Sequence, residues 1–183
     1  MSGRLKIRQG WKRHLGTLAM VLAVFVAVQA WQTRKVTGGA APDFPVTVVQ
    51  ADGRVTSTTL HEWRAAHPGE PVALHFWADW CPICRTEEGS VTRVSQDWPV
   101  MTVAMQSGDA AKVAQVLRRR ALPWSAAVDP RSEITSAHGF GAVPAFVVVD
   151  AAGQLRAPTV GYTSETGMRL RLWWAKLTGG SAG

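Results

Sequence analysis

Cys81 and Cys84 are the only cysteines in the 183-residue chain, and two residues separate them. They sit in the stretch Phe76-Trp77-Ala78-Asp79-Trp80-Cys81-Pro82-Ile83-Cys84-Arg85. A helix starting at the first cysteine puts the second one turn later. Pro82 suits that first turn, where its missing N–H costs nothing. A thiol at a helix N-terminus meets free backbone N–H groups and the positive end of the macrodipole, and both favour its thiolate. The thiolate is the attacking species in disulfide exchange. The neighbouring thiol can then resolve the mixed disulfide, provided the first sulfur is approachable. Three other uses of the spacing compete. A structural staple closing so short a ring stabilises little. A zinc site needs about four ligands. Two inert buried thiols would leave the spacing after an apolar run to coincidence.

The surrounding pattern must hold the pair in place. Residues 71–77 form a nearly continuous apolar run, as expected of a strand buried on both faces. Residues 100–105, 126–128 and 145–149 repeat the pattern, and helical periodicity fills 82–96 and 109–121. Strands alternating with helices predict an α/β fold with parallel strands. Before this core, 46–50 and 54–58 flank Ala51-Asp52-Gly53 as a hairpin, and Thr59 with Glu62 forms a capping box for a helix through Ala66. After it, Ala151-Ala152-Gly153 turns the chain into a second hairpin. A last helix begins near Ser164 or Glu165, where Leu170, Trp173, Trp174 and Leu177 follow i, i+3, i+4, i+7 spacing.

The cysteine stretch resembles the active site of the thioredoxin superfamily. Gly141-Ala142-Val143-Pro144-Ala145-Phe146 agrees with it, leading into a strand some sixty residues on. The resemblance implies a thioredoxin-like central mixed sheet flanked by helices, with a cis-proline at Pro144, preceded by Val143, packed beside the cysteines. The likeness is closer to the anchored, periplasmic TlpA-like branch, which includes cytochrome c maturation reductases and suppressor-of-copper-sensitivity proteins. It spans roughly residues 42–178. Glu87, three residues after Cys84, matches a glutamate of that branch and is either a proton acceptor or a solvated helix residue. His75 stands where thioredoxins carry a buried aspartate; it either handles a proton or is a core histidine bonded to backbone. Trp77 and Trp80 would shield the pair and offer a docking surface, with plain core the alternative for Trp77. Pro82 and Ile83 place no ionisable group between the cysteines, so moderate oxidising power is expected.

The formal net charge of +7 has a local source. Arg4, Lys6, Arg8, Lys12, Arg13, Arg34 and Lys35 carry seven of the 20 cations, and residues 1–35 contain no acid. The remaining 13 cations face 13 acids, so the main domain lacks a nucleic-acid footprint. Residues 15–31 are apolar and long enough, at the short end, to cross a bilayer. The basic block before them places residues 1–14 in the cytoplasm. A cleaved signal peptide, with Val28 and Ala30 as small residues before Trp31, reads almost the same way. The expected organisation is a basic segment 1–14, an anchor 15–31, a linker 32–45, a thioredoxin-like domain 46–178 and a disordered tail 179–183. The location expected is the cytoplasmic membrane with the domain in the periplasm.

The function expected is thiol–disulfide exchange on client proteins, as reductase or isomerase, with a membrane electron-transfer partner restoring the dithiol and no organic or metal cofactor. Arg118-Arg119-Arg120 is expected to be a solvated helix end, and His61, His67 and His138 surface or cap positions. Copper binding or delivery through the same thiols, with His75 nearby, is the alternative. The spacing of two counts against it, because thioredoxin-fold copper carriers space their cysteines by three. A redox-inert docking protein on this fold is a further one.

Overall fold

A strand without an exposed residue sets the middle of the molecule. In the computed structural model, which describes residues 3–36, 39–43 and 45–179, all six residues of β3 (Val72–Trp77) are buried. Such a strand needs a neighbour at each edge and a layer over each face. β4 (Val100–Met105) lies parallel on one side, and β6 (Ala145–Val149) antiparallel on the other. With β1 (Pro45–Gln50), β2 (Val55–Thr59), β5 (Ser125–Asp129) and β7 (Leu155–Val160), the described residues form one mixed sheet in the order β2-β1-β5-β4-β3-β6-β7.

Side-chain alternation divides β3 between two cores. Ala73 and Trp77 face a layer that includes Val91 and Val94 of α3 (Pro82–Val94), Val113 and Leu117 of α4 (Ala110–Arg119), and Met168 and Leu172 of α6 (Glu165–Gly179). Val72, Leu74 and Phe76 face the other layer, with Leu60 of α2 (Leu60–Ala65) and Phe140. The Thr59–Glu62 capping box is present in full.

Two features depart from the sequence pattern. Helix α5 (Glu133–Ala137) has no periodic signature in so few residues. Its first turn is organised by the Asp129 carboxylate at the end of β5, which accepts from the N–H groups of Ile134 and Thr135 and from Thr135 Oγ1. Helix α6 carries two apolar rows. It buries Met168, Leu172 and Ala175 and leaves the stripe of Leu170, Trp173, Trp174 and Leu177 in solvent. Periodicity alone could not choose between rows on the same helix.

Among the described residues before β1, several are bound to the domain. Helix α1 (Gly3–Thr33) ends against β7, where Gln29 Nε2 donates to Val160 O at 3.0 Å and Thr159 Oγ1 donates to Gln29 Oε1 at 3.2 Å. Val36 is buried in the second core. Further on, Leu155 N–H donates to Gly39 O and Ala41 N–H to Gly153 O, so part of the expected linker pairs with the start of β7. Of the expected tail 179–183, Gly179 belongs to α6 and the rest lies outside the described residues.

Gly139 makes this docking possible. Its φ is +81°, and a Cβ there would lie 2.5 Å from Lys35 O. Gly139→Ala should therefore cost about 1–3 kcal/mol, seen as a lower urea midpoint. Gly141→Ala, with nothing within 4 Å of its Cβ position, should change stability by less than ~0.5 kcal/mol.

Candidate active site

The end of β3 delivers the chain to the entrance of α3, and Cys81 is the N-cap. Its backbone is extended (φ −85°, ψ 110°), Pro82 follows in the first turn, and Cys81 Sγ accepts from Cys84 N–H at 3.1 Å. A free helix-end donor is thus aimed at the first sulfur, the arrangement that favours a thiolate. In this structure the two cysteines form a disulfide with Cα atoms 5.3 Å apart.

Register brings the proline loop to the same end of the sheet, since Phe76 of β3 pairs with Ala145 of β6. The Val143–Pro144 peptide is cis. Val143 O lies 3.9 Å from Cys81 Sγ, and Pro144 O accepts from Gly161 N–H at 2.8 Å. Cys81 is 3% and Cys84 2% exposed, so the closed pair is more deeply enclosed than the sequence led one to expect. The reason is local, because Cys81 Sγ turns toward Cys84 under Val143. Trp80 and Ile83 beside the cysteines, and Tyr162 just after Gly161, are all exposed. They form an apolar rim. Trp77 is core instead.

The loop between β3 and α3 is held from three directions. Asp79 N–H donates to Ser107 Oγ at 2.9 Å, and Trp80 Nε1 to Gln106 O at 3.3 Å. Gln106 adopts a left-handed backbone (φ 47°). Arg120 Nη2 donates to Asp79 O at 2.7 Å, while its Nη1 pairs with Glu88 of α3 at 2.8 Å. Arg120 is therefore a brace of the cysteine loop rather than a solvated helix end. Ser107, Gln106 and Arg120 had no signal in the sequence, because their partners lie 26 or more residues away.

Beneath the pair lies a buried polar couple. Glu87 is on α3, three residues after Cys84 and buried like it, and His75 is on the β3 face that α3 covers. Glu87 Oε1 accepts from Thr163 N–H, and Oε2 lies 4.0 Å from His75 Nδ1. Neither ring nitrogen of His75 makes a hydrogen bond. Glu87 is thus not a solvated helix residue, nor is His75 bonded to backbone. Burial pushes the Glu87 carboxyl up to about 7, against the opposing pull of the Thr163 N–H. Burial brings the His75 imidazole down to about 3. Near neutral pH Glu87 is the group able to gain or lose a proton. His138, by contrast, is a buried cap residue of α5 against Phe76. No cluster of three or more His, Cys, Asp or Glu side chains placed to hold a metal occurs among the described residues.

A helix-capping Cys-x-x-Cys pair beside a cis-proline loop, on this sheet order, defines a thioredoxin-like protein. The model of the AhpC/TSA family matches residues 37–157, and the chain belongs to that family. A thioredoxin-like protein of Haemophilus influenzae is 28% identical over 111 residues, covering 60% of this chain and 66% of that one. A DsbE homologue of Paracoccus denitrificans, named a thiol:disulfide interchange protein, is 32% identical over 83 residues, covering 45% and 46%. The chain thus spans about half to two thirds of the length of these relatives. Among solved structures, a thioredoxin-family thiol:disulfide interchange protein of Chlorobium tepidum superposes with a TM-score of 0.59 at 21% identity, covering 76% of this chain and 97% of that one.

The couple makes stability depend on pH in two opposed ways. Glu87 has a raised pKa, so its contribution is full below about 4.5 and is lost as pH rises through about 7. His75 has a lowered pKa, so its contribution is full above 6.5 and is lost as pH falls toward 3. Between about pH 4.5 and 6.5 the two slopes oppose each other, so Glu87→Gln should unmask a rise in stability with pH across that window, as followed by urea midpoints from pH 3 to 7.

Proposed function

We propose that the chain is a membrane-anchored thiol–disulfide oxidoreductase that acts on extracytoplasmic proteins as a reductase or isomerase. The observation that carries this reading is the Cys84 N–H aimed at Cys81 Sγ beside the cis-proline loop. The names of the two relatives agree with it. In the reduced form, the Cys81 thiolate attacks one sulfur of a client disulfide and expels the other client sulfur as a thiolate. Cys84, deprotonated, then attacks Cys81 Sγ and releases the second client thiolate. The client gains two electrons and the pair becomes the disulfide seen here. Glu87, buried on the same helix and close to neutral in pKa, is the acceptor for the Cys84 proton. A membrane electron-transfer protein returns the two electrons. The cysteine pair is the only redox group this cycle needs.

The apolar part of α1, His14–Trp31, is eighteen residues and, apart from half-buried Gln29, exposed along the part of its length whose side chains are described. At 1.5 Å per residue it reaches about 27 Å, near the thickness of a bilayer core. The basic residues before it support a cytoplasmic N-terminus, and with it a redox domain on the periplasmic side.

Cys81→Ser should bring insulin reduction by dithiothreitol down to the uncatalysed rate. Cys84→Ser, expressed in the native host, should accumulate mixed disulfides through Cys81. An absence of trapped partners, with Cys81 fully reduced, would rule out exchange as the function.

A further inference from the structure

The exposed row of α6 is an apolar feature of the redox domain that the proposed chemistry leaves unused. Leu170, Trp173, Trp174 and Leu177 are 63%, 53%, 50% and 73% exposed. Trp173 stands edge-on to Trp98, with ring centroids 5.7 Å apart, and Lys176 Nζ lies 5.5 Å over the Trp98 ring. Leu170 and Trp174 also line an open groove together with Arg171 and with Ala157 and Pro158 of β7. Two exposed tryptophans in a continuous row are costly to leave in water, since each carries a large apolar ring.

We infer that this row and groove rest on the lipid surface of the membrane that α1 enters. The inference rests on the anchored reading given above and adds to it a fixed orientation of the domain. Two observations single out lipid. The first is continuity. Gln29 lies within the apolar span, yet it bonds directly to Val160 and Thr159 of β7. The groove begins at the preceding residue, Pro158, and Ala157 lies only about 7 Å along the strand from Thr159. Whatever else the groove meets, the chain itself brings the bilayer surface beside it. The second observation is charge. The sole acid of α6 is Glu165, held by Arg93 and Arg169, and Arg169 also pairs with Asp97, which leaves Arg171 and Lys176 as the cations of the helix without an acidic partner among these pairs. Arg34 adds a cation stacked 5.0 Å over the exposed Trp31 ring at the end of the span. Tryptophans among cations suit the boundary between acyl chains and anionic headgroups.

The test uses the full chain carrying 5-fluorotryptophan in nanodiscs that contain phosphatidylglycerol. A trace lipid bears a spin label high on its acyl chain. The fluorine resonances of Trp174 and Trp31 are assigned with W174F and W31F. The expected result is that the spin-labelled lipid cuts both signals at least twofold relative to unlabelled lipid. A Trp31 signal that falls while Trp174 stays sharp leaves the anchor intact and overturns the inference. The same pattern in a chain that runs as a dimer would assign the row to a second copy and overturns it equally. If Trp31 also stays sharp, the anchored reading fails and this inference falls with it.

Discussion

One backbone N–H governs the chemistry available to this chain. The Cys84 amide belongs to the first turn of α3, where no carbonyl of the helix can accept it, and it is directed at Cys81 Sγ. The arrangement holds only while the β3–α3 junction stays in register. The junction depends in turn on a strand buried on both faces and on a loop whose Asp79 donates its N–H to Ser107 and meets Lys112 and Arg120 through its oxygens. Arg120 ties this loop to α3 as well, through Glu88. The sulfur, the helix end and the loop behave as one unit because the same guanidinium touches two of them.

The polar couple below the cysteines follows from the same burial. A carboxyl buried on the face of α3 that carries Val91 and Val94 would be a poor choice for stability. Its cost is offset in part by the Thr163 amide, and its raised pKa puts proton exchange within the neutral range. His75 contributes a polar neighbour that stays neutral there. A buried pair that shifts the proton affinity of one member is an uneasy arrangement for folding and a useful one beside a thiol that must lose a proton.

Much of the fold was legible because its signals are local. The runs at β3, β4 and β6, the Thr59 capping box and the Gly153 turn each declare themselves within a few residues. The cysteine pair and the Val143–Pro144 loop could be found for the same reason, one by spacing and the other by resemblance. What escaped was set by distant partners. Arg120 depends on a carbonyl 41 residues away, and the burial of Glu87 on packing that brings Thr163 to it from 76 residues away, whereas helix α5 is too short to show a period. The choice between the two rows of α6 depends on which one meets the sheet, and both obey the same period.

The docking of Gln29 and of residues 39–41 against β7 and its turn, with Val36 inserted in the core, changes how the redox domain is tethered. A free stretch here would act as a leash, letting the sulfurs sweep a hemisphere above the membrane. Pinned as it is, the stretch works as a bracket. For a chain anchored as proposed, a partner must come to the cysteines from a narrow range of angles, and the geometry of encounter is set before the partner arrives.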